Sequence, residues 1–269
     1  MKVSVVMPVY NSRNVVGKAI ESILQQTYAD FEFIIIDDGS TDGTFNILEE
    51  YKNKDERIIL VAQARKGLVY SLNRGLKLAK GEYILRQDGD DVSLPERMEK
   101  QLEAIKNNNL DIVGSYAYLV NEKGFTIEKI IRPVEHKSIV EKLERQNCIL
   151  HPTLMFKKEA ILSIGGYNGQ YEFAQDYELY LRAVRAGLRI GCVPEPLVRI
   201  AHVSSSISVK RRRKQLLYAI SAQAMHFAKQ EQFEFSYPVH ILFHISKIFI
   251  PMWFRKLRVC LRNRYQGKK

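Results

Sequence analysis

The fold of this chain is decided by the stretch Phe31-Glu-Phe-Ile-Ile-Ile-Asp-Asp-Gly-Ser-Thr-Asp42. Its apolar run is typical of a strand covered on both faces, as in the centre of a parallel sheet. The acidic and turn-forming residues that follow can bind a ligand at the strand's carboxyl end or cap the next helix. Both readings stay open for Asp37 and Asp42, and we expect one acid to cap and another to contact the ligand.

Short apolar strands alternate with helical patterns on both sides of this stretch. Strands are predicted at Val3–Met7, Arg57–Ala62 and Glu82–Arg86, with helices near Thr44–Tyr51 and Leu68–Leu78. Further along, the pattern predicts helices at Arg97–Asn107 and about Ala174–Ala186, and strands at Asp111–Tyr118, Thr153–Phe156 and Leu197–Ala201. This alternation predicts an α/β fold with a parallel, doubly wound sheet.

Composition excludes several classes of protein. The chain has 269 residues, of which 46% are hydrophobic and 26% charged, with 15 Gly and 8 Pro, so it is neither disordered nor collagen-like. Its three cysteines are widely spaced and form no CxxC pair, which argues against a disulfide scaffold or a thiolate zinc site and suits a reducing cytosol. Met1-Lys2 leads directly into the first strand, so no secretory leader is predicted.

The net charge of +11 is unevenly distributed. Residues 203–269 carry fourteen Lys and Arg against two Glu, whereas the preceding residues carry 27 basic and 28 acidic residues. We therefore predict a near-neutral globular domain and a separate basic extension. The longest apolar stretch, Val239 to Phe254, is interrupted by His240, His244, Lys247 and Pro251, and is not expected to span a membrane.

The most informative acidic motif is Asp88-Gly-Asp-Asp91, directly after a predicted strand. If the chain is extended there, Asp88 and Asp90 project to one side and Asp91 to the other. Two carboxylates on one face suit a hard cation such as Mg²⁺, which leaves positions for water and phosphate oxygens. The alternative interpretation is a solvated acidic turn that caps the next helix.

The first strand ends in Pro8-Val9-Tyr10-Asn11 and lacks both glycine-rich phosphate motifs. Their absence weakens a dinucleotide oxidoreductase or P-loop interpretation. Tyr10 can stack on a planar base or simply pack, and an acid at the end of the Phe31–Ile36 strand can accept a hydrogen bond from a pyrimidine imide.

Asp176 lies on the apolar side of a predicted helix, because Leu179, Tyr180, Ala183 and Val184 share its face. Burial would raise the pKa of its carboxyl toward the range of a general base, and the nearby helix N-terminus would oppose that rise. The alternative is an aspartate that caps its helix. His151 and His202 lie at the edges of predicted strands, where a structural role is the simpler interpretation; the cations from Lys210 to Lys214 favour phosphate binding near His202.

These motifs together resemble those of the family-2 glycosyltransferases with the GT-A fold. The resemblance is carried by five ordered segments: residues 3–11, Ile36–Asp42, Gly81–Ile84, Asp88–Asp91 and Gln175-Asp176. Leu94-Pro-Glu-Arg97, His151-Pro-Thr153 and Gly165-Gly-Tyr167 look like a bacterial branch that builds surface polysaccharide, such as lipopolysaccharide or capsule. The match runs from residue 3 to about residue 208.

The resemblance implies a role for each matching residue. Pro8, Tyr10 and Asp38 would line the nucleotide base, with Asp38 accepting from the uracil imide. Asp90 would be the direct metal ligand, and Asp88 would lie near the ribose or the metal. Asp176 would be the catalytic base, and His202 would approach the diphosphate or the metal.

The same resemblance implies an organisation and a reaction. Residues 1–208 would form the GT-A domain, with a nucleotide-binding half (1–91) and an acceptor half (92–208), and residues 209–269 a basic helical extension. The enzyme would be an inverting hexosyl- or N-acetylhexosaminyl-transferase that uses Mn²⁺ or Mg²⁺, a nucleotide sugar (a UDP-sugar for preference) and a glycan or polyprenyl-linked acceptor. A nucleotidyltransferase and a non-catalytic nucleotide-sugar-binding relative are the alternatives.

Two positions depart from the family pattern, and the tail adds an expectation of its own. Gln175 stands where the family usually has Glu, and Arg65 stands where many members have Asn, so Arg65 is not assigned to the site. The basic runs at Lys210–Lys214 and Arg255–Lys269 flank the aromatic and apolar stretch that ends in Met252-Trp-Phe254, a combination that suits an interfacial helix on an anionic membrane. The alternative is a packed C-terminal helix with a solvated basic face. We expect a cytoplasmic protein that the tail can attach to the inner face of the membrane, and no binding to nucleic acid.

Overall fold

The strands of the described chain form one twisted sheet with helices on both faces. The structure is a computed structural model, and it describes residues 2–201 and 211–228. The strands are β1 (Val3–Val9), β2 (Phe31–Asp37), β3 (Ile58–Ala62), β4 (Tyr83–Arg86), β5 (Val92–Ser93), β6 (Ile112–Val120), β7 (Thr126–Ile130), β8 (Met155–Lys157) and β9 (Ile190–Ala201). The helices are α1 (Val16–Leu24), α2 (Thr44–Lys54), α3 (Leu68–Leu78), α4 (Arg97–Asn107), α5 (His136–Leu143), α6 (Lys158–Ser163), α7 (Gln175–Arg185) and α8 (Arg212–Ala228).

The sheet is mostly parallel, as the sequence predicts. The strand order is β3-β2-β1-β4-β8-β6-β9-β5, and β7 pairs with β6. Strands β1, β2, β3 and β4 pair in parallel, and β6 and β9 run in the same direction as these four. The described strands β5, β7 and β8 run in the opposite direction. The α/β prediction is confirmed, with antiparallel pairing of β5 and β8 that the sequence pattern did not reveal.

Alternate residues of the central strands pack on opposite faces of the sheet. Val5 and Met7 of β1 belong to the same buried cluster as α1, α2 and α4, whereas Val6 packs with α3, α5 and α7. Strand β2 behaves in the same way and is buried along its whole length. The continuous apolar run of residues 33–36 therefore reflects a strand with helices on both sides.

Two predicted strands differ from the observed elements. His151–Thr153 forms a 3₁₀ turn before β8, because Pro152 lacks an N–H and its fixed φ suits a turn. The last strand is twelve residues long instead of five, and it begins before Pro194 and Pro196. Irregular register opposite Tyr116 accommodates these prolines, as expected for prolines at bulges.

The basic extension begins, in the described part, with α8, which packs against α7. Gln223 of α8 donates from Nε2 to the carbonyl of Glu144 at 2.7 Å, next to the end of α5. Within residues 2–201 and 211–228, no helix has the length and apolarity needed to cross a bilayer. His202, the cluster Lys210–Lys214 in part, the apolar stretch Val239–Phe254 and the run Arg255–Lys269 lie outside the described residues.

Gly81 is required where β4 approaches β1. A β-carbon at this position would lie 2.6 Å from the Ser4 nitrogen and 2.7 Å from the Val3 carbonyl carbon, both of them backbone atoms. We therefore expect Gly81→Ala to lower the free energy of unfolding by about 1–3 kcal/mol, the usual cost of overpacking.

Urea denaturation followed by circular dichroism measures this change. Gly169→Ala is the matched control, because a β-carbon added there would have no heavy atom within 4 Å beyond its own chain neighbours. If the two variants unfold at the same urea concentration, the backbone at Gly81 is not packed tightly against the start of β1, and the structure is contradicted at this point.

Candidate active site

The carboxyl ends of β1, β2 and β4 meet at one edge of the sheet. Asp38 donates its backbone N–H to the Val9 carbonyl at 2.8 Å, and Gln87 donates its N–H to the Val6 carbonyl at 3.1 Å. The residues predicted to line a nucleotide base lie at this edge: Pro8 and Tyr10 are half-buried, and Asp38 is buried. The parallel sheet thus brings together segments that are far apart in sequence.

Asp38 organises the loop that follows β3. Its carboxylate accepts the Lys66 and Gly67 backbone N–H groups, each at 2.8 Å, and the Gln63 Nε2 at 2.7 Å. A carboxylate has about four lone-pair sites, so about one remains for a ligand donor. Asp42 has the other role that the sequence left open, because its Oδ1 accepts from the Thr44 N–H and hydroxyl at the start of α2.

Arg65 covers one face of the Tyr10 ring. The guanidinium carbon lies 3.9 Å from the ring centroid, and Nη1 donates to the Tyr10 hydroxyl at 2.8 Å. The sequence drew attention to Arg65 only as a departure from the family pattern. A planar guanidinium stacked on a tyrosine forms an exposed flat surface at the strand edge, which a nucleotide base can extend.

Three carboxylates converge in the turn after β4. One oxygen from each of Asp88, Asp90 and Asp91 lies within 4.8 Å of the others. The prediction that Asp91 faces away is wrong, because the chain turns here: the Asp91 N–H lies 3.4 Å from the Asp88 carbonyl. Asp91 is 3% exposed, and its Oδ2 has no hydrogen-bond partner within the described residues.

The electrostatics of this cluster favour a cation. Desolvation, followed by the negative charges of Asp88 and Asp90, raises the pKa of Asp91 well above its usual value. The pKa of Asp90 is raised first by desolvation and second by the charge of Asp88. A hard divalent ion bound to these oxygens would remove the repulsion and satisfy the unpartnered oxygen of Asp91, so the donor set fits Mg²⁺ or Mn²⁺.

Arg86 is the positive charge already present in the site. Its guanidinium is 3% exposed and forms a bidentate pair with the Asp88 carboxylate. Such a pair fixes the orientation of the carboxylate. Because both Asp88 oxygens contact Arg86, Asp90 and Asp91 are better placed than Asp88 to bind a metal.

Gln87 and Arg97 hold the acidic turn in place through buried hydrogen bonds. Gln87 donates from Nε2 to the carbonyls of Asp88 and Asp91, at 3.0 and 2.8 Å. Its Oε1 accepts from Arg97 Nη1 at 3.0 Å and from the Ser93 hydroxyl at 2.8 Å. A buried amide therefore holds both ends of the acidic turn, and the buried Arg97 holds the amide.

Asp176 lies in the first turn of α7, on the same side of the molecule. Desolvation raises the pKa of its carboxyl, and hydrogen bonds from the Tyr177 N–H and from Asn147 partly oppose the rise. Asn147 Nδ2 donates to Asp176 Oδ2 at 2.7 Å. The positive charge of Arg86 acts on Asp176 as well. Arg86 is thus close enough to the acidic turn and to the half-buried Asp176 to interact with both charges.

His151 and Tyr167 complete the wall around Arg86. Their side chains share a 2.9 Å hydrogen bond between Nε2 and the hydroxyl. Burial and then the charge of Arg86 lower the pKa of His151 well below its usual value, so the imidazole is neutral. Desolvation raises the pKa of Tyr167; the charge of Arg86 opposes that rise, and the charges of Asp176 and Asp88 add to it. His151 therefore has the structural role that was the simpler interpretation.

The structure places most of the predicted site residues at one edge of the sheet, and their roles remain predictions. Pro8, Tyr10, Asp38, Asp88 and Asp90 lie along it, with Asp176 close to the same buried arginine. Arg65, Arg86 and Asn147 were not assigned to the site. Arg86 adjoins the acidic motif and could have been suspected from a charged residue inside an apolar strand. Asn147 has no comparable signal, because it meets Asp176 only in the folded chain.

Comparison with known proteins identifies relatives. Residues 4–162 match the profile of glycosyl transferase family 2. The chain is similar to the O-antigen biosynthesis glycosyltransferase WbnJ of Escherichia coli, with 41% identity over 183 residues, which are 67% of this chain and 70% of WbnJ.

Solved structures share the fold. Staphylococcus aureus TarS residues 1–349 in complex with UDP-GlcNAc align with a TM-score of 0.73 and 20% identity, over 93% of this chain and 73% of that one. The mannosyltransferase PcManGT of Pyrobaculum calidifontis, in complex with GDP-Man and Mn²⁺, aligns with a TM-score of 0.66 and 18% identity, over 92% of this chain and 69% of that one. These likenesses support the predicted GT-A fold.

The contact between Asn147 and Asp176 leads to a titration experiment. Because the amide stabilises the ionised carboxylate, Asn147→Ala should raise the pKa of Asp176 further. Carboxyl ¹³C resonances of aspartate-labelled protein, followed against pH, measure the midpoint. Gln146→Ala changes the exposed neighbouring residue and should leave the midpoint in place. A midpoint that falls or stays constant in Asn147→Ala would contradict the contact.

Proposed function

We propose that this chain, which belongs to glycosyl transferase family 2, is a metal-dependent inverting enzyme that moves a sugar from a nucleotide sugar to a glycan or lipid-linked acceptor. As a family member it is a glycosyltransferase, so the nucleotidyltransferase alternative is set aside. We further propose a UDP-sugar as donor and a role in surface polysaccharide synthesis. The observation that carries this proposal is the cluster of Asp88, Asp90 and Asp91, together with Asp176, whose charge Arg86 also influences.

The donor nucleotide is proposed to lie along the ends of β1 and β2. Its base would stack on Tyr10 beside Arg65 and donate its imide N–H to the remaining acceptor site of Asp38. Pro8 would line the same pocket. TarS binds UDP-GlcNAc in the complex described above, which supports a uridine donor for a chain of the same fold.

The donor diphosphate is proposed to lie beside the acidic turn. Asp90 and Asp91 would hold a divalent cation there, and Asp88 would keep its bidentate contact with Arg86. When bound, such a cation acts as a Lewis acid that neutralises the charge developing on the departing diphosphate. PcManGT, with bound Mn²⁺, is consistent with this choice of ion. His202, which lies outside the described residues, remains a proposed phosphate or metal contact.

Asp176 is proposed as the catalytic base. It takes the proton from an acceptor hydroxyl while that oxygen forms its bond to the anomeric carbon, and the bond from that carbon to the diphosphate oxygen breaks on the opposite side. Desolvation of Asp176 favours this role, since a raised pKa strengthens a carboxylate as a base. Asn147 keeps one of its oxygens in a fixed direction.

The basic extension is proposed to bring the enzyme to its acceptor. Residues 203–269 carry fourteen Lys and Arg against two Glu, a composition that attracts an anionic membrane surface. We propose a cytoplasmic enzyme with peripheral attachment through this extension, and the division into residues 1–208 and 209–269 remains part of the proposal. The packing of α8 on α7 would place the start of the extension near the helix that carries Asp176.

Removal of the base should separate binding from transfer. We expect Asp176→Asn to bind UDP with unchanged affinity and to lose about 10²–10⁴-fold in the rate of sugar transfer, the usual worth of general-base catalysis. UDP release with a panel of nucleotide sugars measures transfer, and calorimetry measures binding. Glu141→Gln, on the exposed side of α5, is the control. Wild-type turnover in Asp176→Asn would overturn the assignment of the base.

The metal ligands can be tested without turnover. In the presence of UDP, Asp90→Asn and Asp91→Asn should each weaken Mn²⁺ binding by at least about tenfold, because each removes an ionised ligand. Electron paramagnetic resonance of free Mn²⁺ measures the affinity. Glu122→Gln, in the exposed β6–β7 turn, should have no effect. If Asp91→Asn binds Mn²⁺ as tightly as wild type, Asp91 is not a ligand.

A further inference from the structure

A basic groove runs along α3, beyond the residues used so far. The groove is a cavity of about 510 Å³ between one face of α3 and the loop that contains Gly169 and Glu172. Lys66, Arg74 and Lys77 line it, and Glu172 is the one acidic residue of its lining. The exposed ring of Tyr70 lies on the same face of the helix.

The positive charge of the groove is not neutralised by the described protein. Residues 63–80 contain five basic side chains and no acid. Among the described residues, Lys66 and Lys77 have no ion pair, and Lys66 Nζ lies 5.4 Å from the centroid of the Tyr70 ring. A concave surface of this kind has a positive potential that attracts an anion. Its cationic side chains can then form charge-assisted hydrogen bonds to the oxygens of that anion.

Arg74 is held in place for such a role. Its Nη1 donates to Gln63 Oε1 at 2.7 Å, and Gln63 Nε2 donates in turn to Asp38 at 2.7 Å. The groove and the proposed base pocket therefore share a hydrogen-bonded support. The other nitrogens of the guanidinium can still contact a ligand, because Arg has five N–H donors.

The groove is also connected to α7. Asn73 of α3 accepts the Tyr167 N–H at 2.9 Å and donates to the Tyr167 carbonyl at 2.7 Å. The chain then passes through Gly169 and Glu172 in the groove wall and reaches Asp176 four residues after Glu172. An occupant of the groove would thus lie beside the segment that positions the proposed base.

We propose that this groove binds a phosphate or diphosphate ester on the acceptor. The inference rests on the proposed function, in which the donor diphosphate lies at the acidic turn and the acceptor hydroxyl lies at Asp176. The proposed donor contacts use none of the side chains of Lys66, Arg74 and Lys77, and the groove wall continues in sequence into α7, which carries the proposed base. Lys66, Arg74 and Lys77 contact the phosphoryl oxygens, and Tyr70 covers the adjoining sugar.

Inorganic pyrophosphate is the probe for this site. EDTA is included because a divalent ion could otherwise bridge pyrophosphate to the carboxylates of the acidic turn. The full chain labelled with [¹⁵N]glycine reports the groove through the amides of Gly67 and Gly169, and Gly124 in the β6–β7 turn serves as a distant reference. We expect saturable shifts of the two groove amides and none at Gly124. Gly169 is the discriminating reporter, because the Gly67 N–H donates to Asp38 in the proposed base pocket and can respond to pyrophosphate bound there.

Charge reversal tests the contact. Lys77→Glu should weaken the pyrophosphate affinity read at Gly169 by about tenfold, because a charge-assisted contact is replaced by repulsion. Lys52→Glu, an exposed residue of α2 on the opposite face of the sheet, makes the same charge change and should alter the affinity by less than about twofold. Equal effects of the two substitutions, or groove amides that do not shift, would overturn the proposal.

Two further measurements separate this proposal from others. Vesicles of phosphatidylglycerol and phosphatidylcholine replace pyrophosphate in a parallel titration; a response of the groove amides to anionic vesicles but not to pyrophosphate would assign the groove to a lipid surface and overturn the acceptor proposal. UDP binding should be unchanged in Lys77→Glu. If pyrophosphate does not shift the groove amides while UDP binding is intact, the groove proposal fails and the proposed function stands. If Asp176→Asn turns over like wild type, the assignment of the base in the proposed function fails, and the groove titration still tests the groove.

Discussion

The end of β4 depends on one buried cation, the guanidinium of Arg97. This side chain is fully buried, and it donates to Gln101, Gln87 and Ser93 and to the carbonyls of Arg86, Pro152 and Leu154. Removing a cation from water costs several kcal/mol, and only a full set of well-placed acceptors offsets that cost. Desolvation and then the charge of Arg86 lower the pKa of Arg97 to about 9. The group is tolerated because three separate segments supply its acceptors.

The geometry of the acidic turn depends on these hydrogen bonds of Arg97. Arg97 binds the carbonyl of Arg86 from one side, and the side chain of Arg86 extends to the other side, where it pairs with Asp88. Gln87 lies between Arg86 and Asp88 in sequence. Its Oε1 accepts from Arg97, and its Nε2 donates to the Asp91 carbonyl in the acidic turn. Adjacent residues of one strand thus alternate between supporting the core and forming the site. Arg86 thus pairs with Asp88, and its positive charge also favours the ionised form of Asp176.

Local sequence pattern was sufficient for the elements but not for the contacts between them. Leu68–Leu78 and Arg97–Asn107 were predicted with the observed bounds, because each has strong helical periodicity and begins after Gly or Pro. The acidic motif was read as extended chain, and the error came from ignoring the turn that Gly89 begins. Asn147 could not be assigned, since Asp176 is brought to it only by the packing of α5 on α7. Arg86 lies two residues before its partner Asp88, so its charge inside an apolar strand was the available signal. Asp176 was found because its apolar neighbours recur at helical spacing.

The backbone is strained two residues before Asp176, at the start of α7. Ala174 has φ of 56°, a left-handed conformation that costs a residue with a β-carbon about 1 kcal/mol or more. Its carbonyl accepts the Glu178 N–H at 3.0 Å and so begins α7, while Arg182 clamps the preceding loop through the carbonyls of Ile164 and Gly166. The bend and the Arg182 contacts together set the direction in which the chain enters α7. The strain at Ala174 is therefore the local cost of placing the proposed base in the first turn of that helix before any substrate binds.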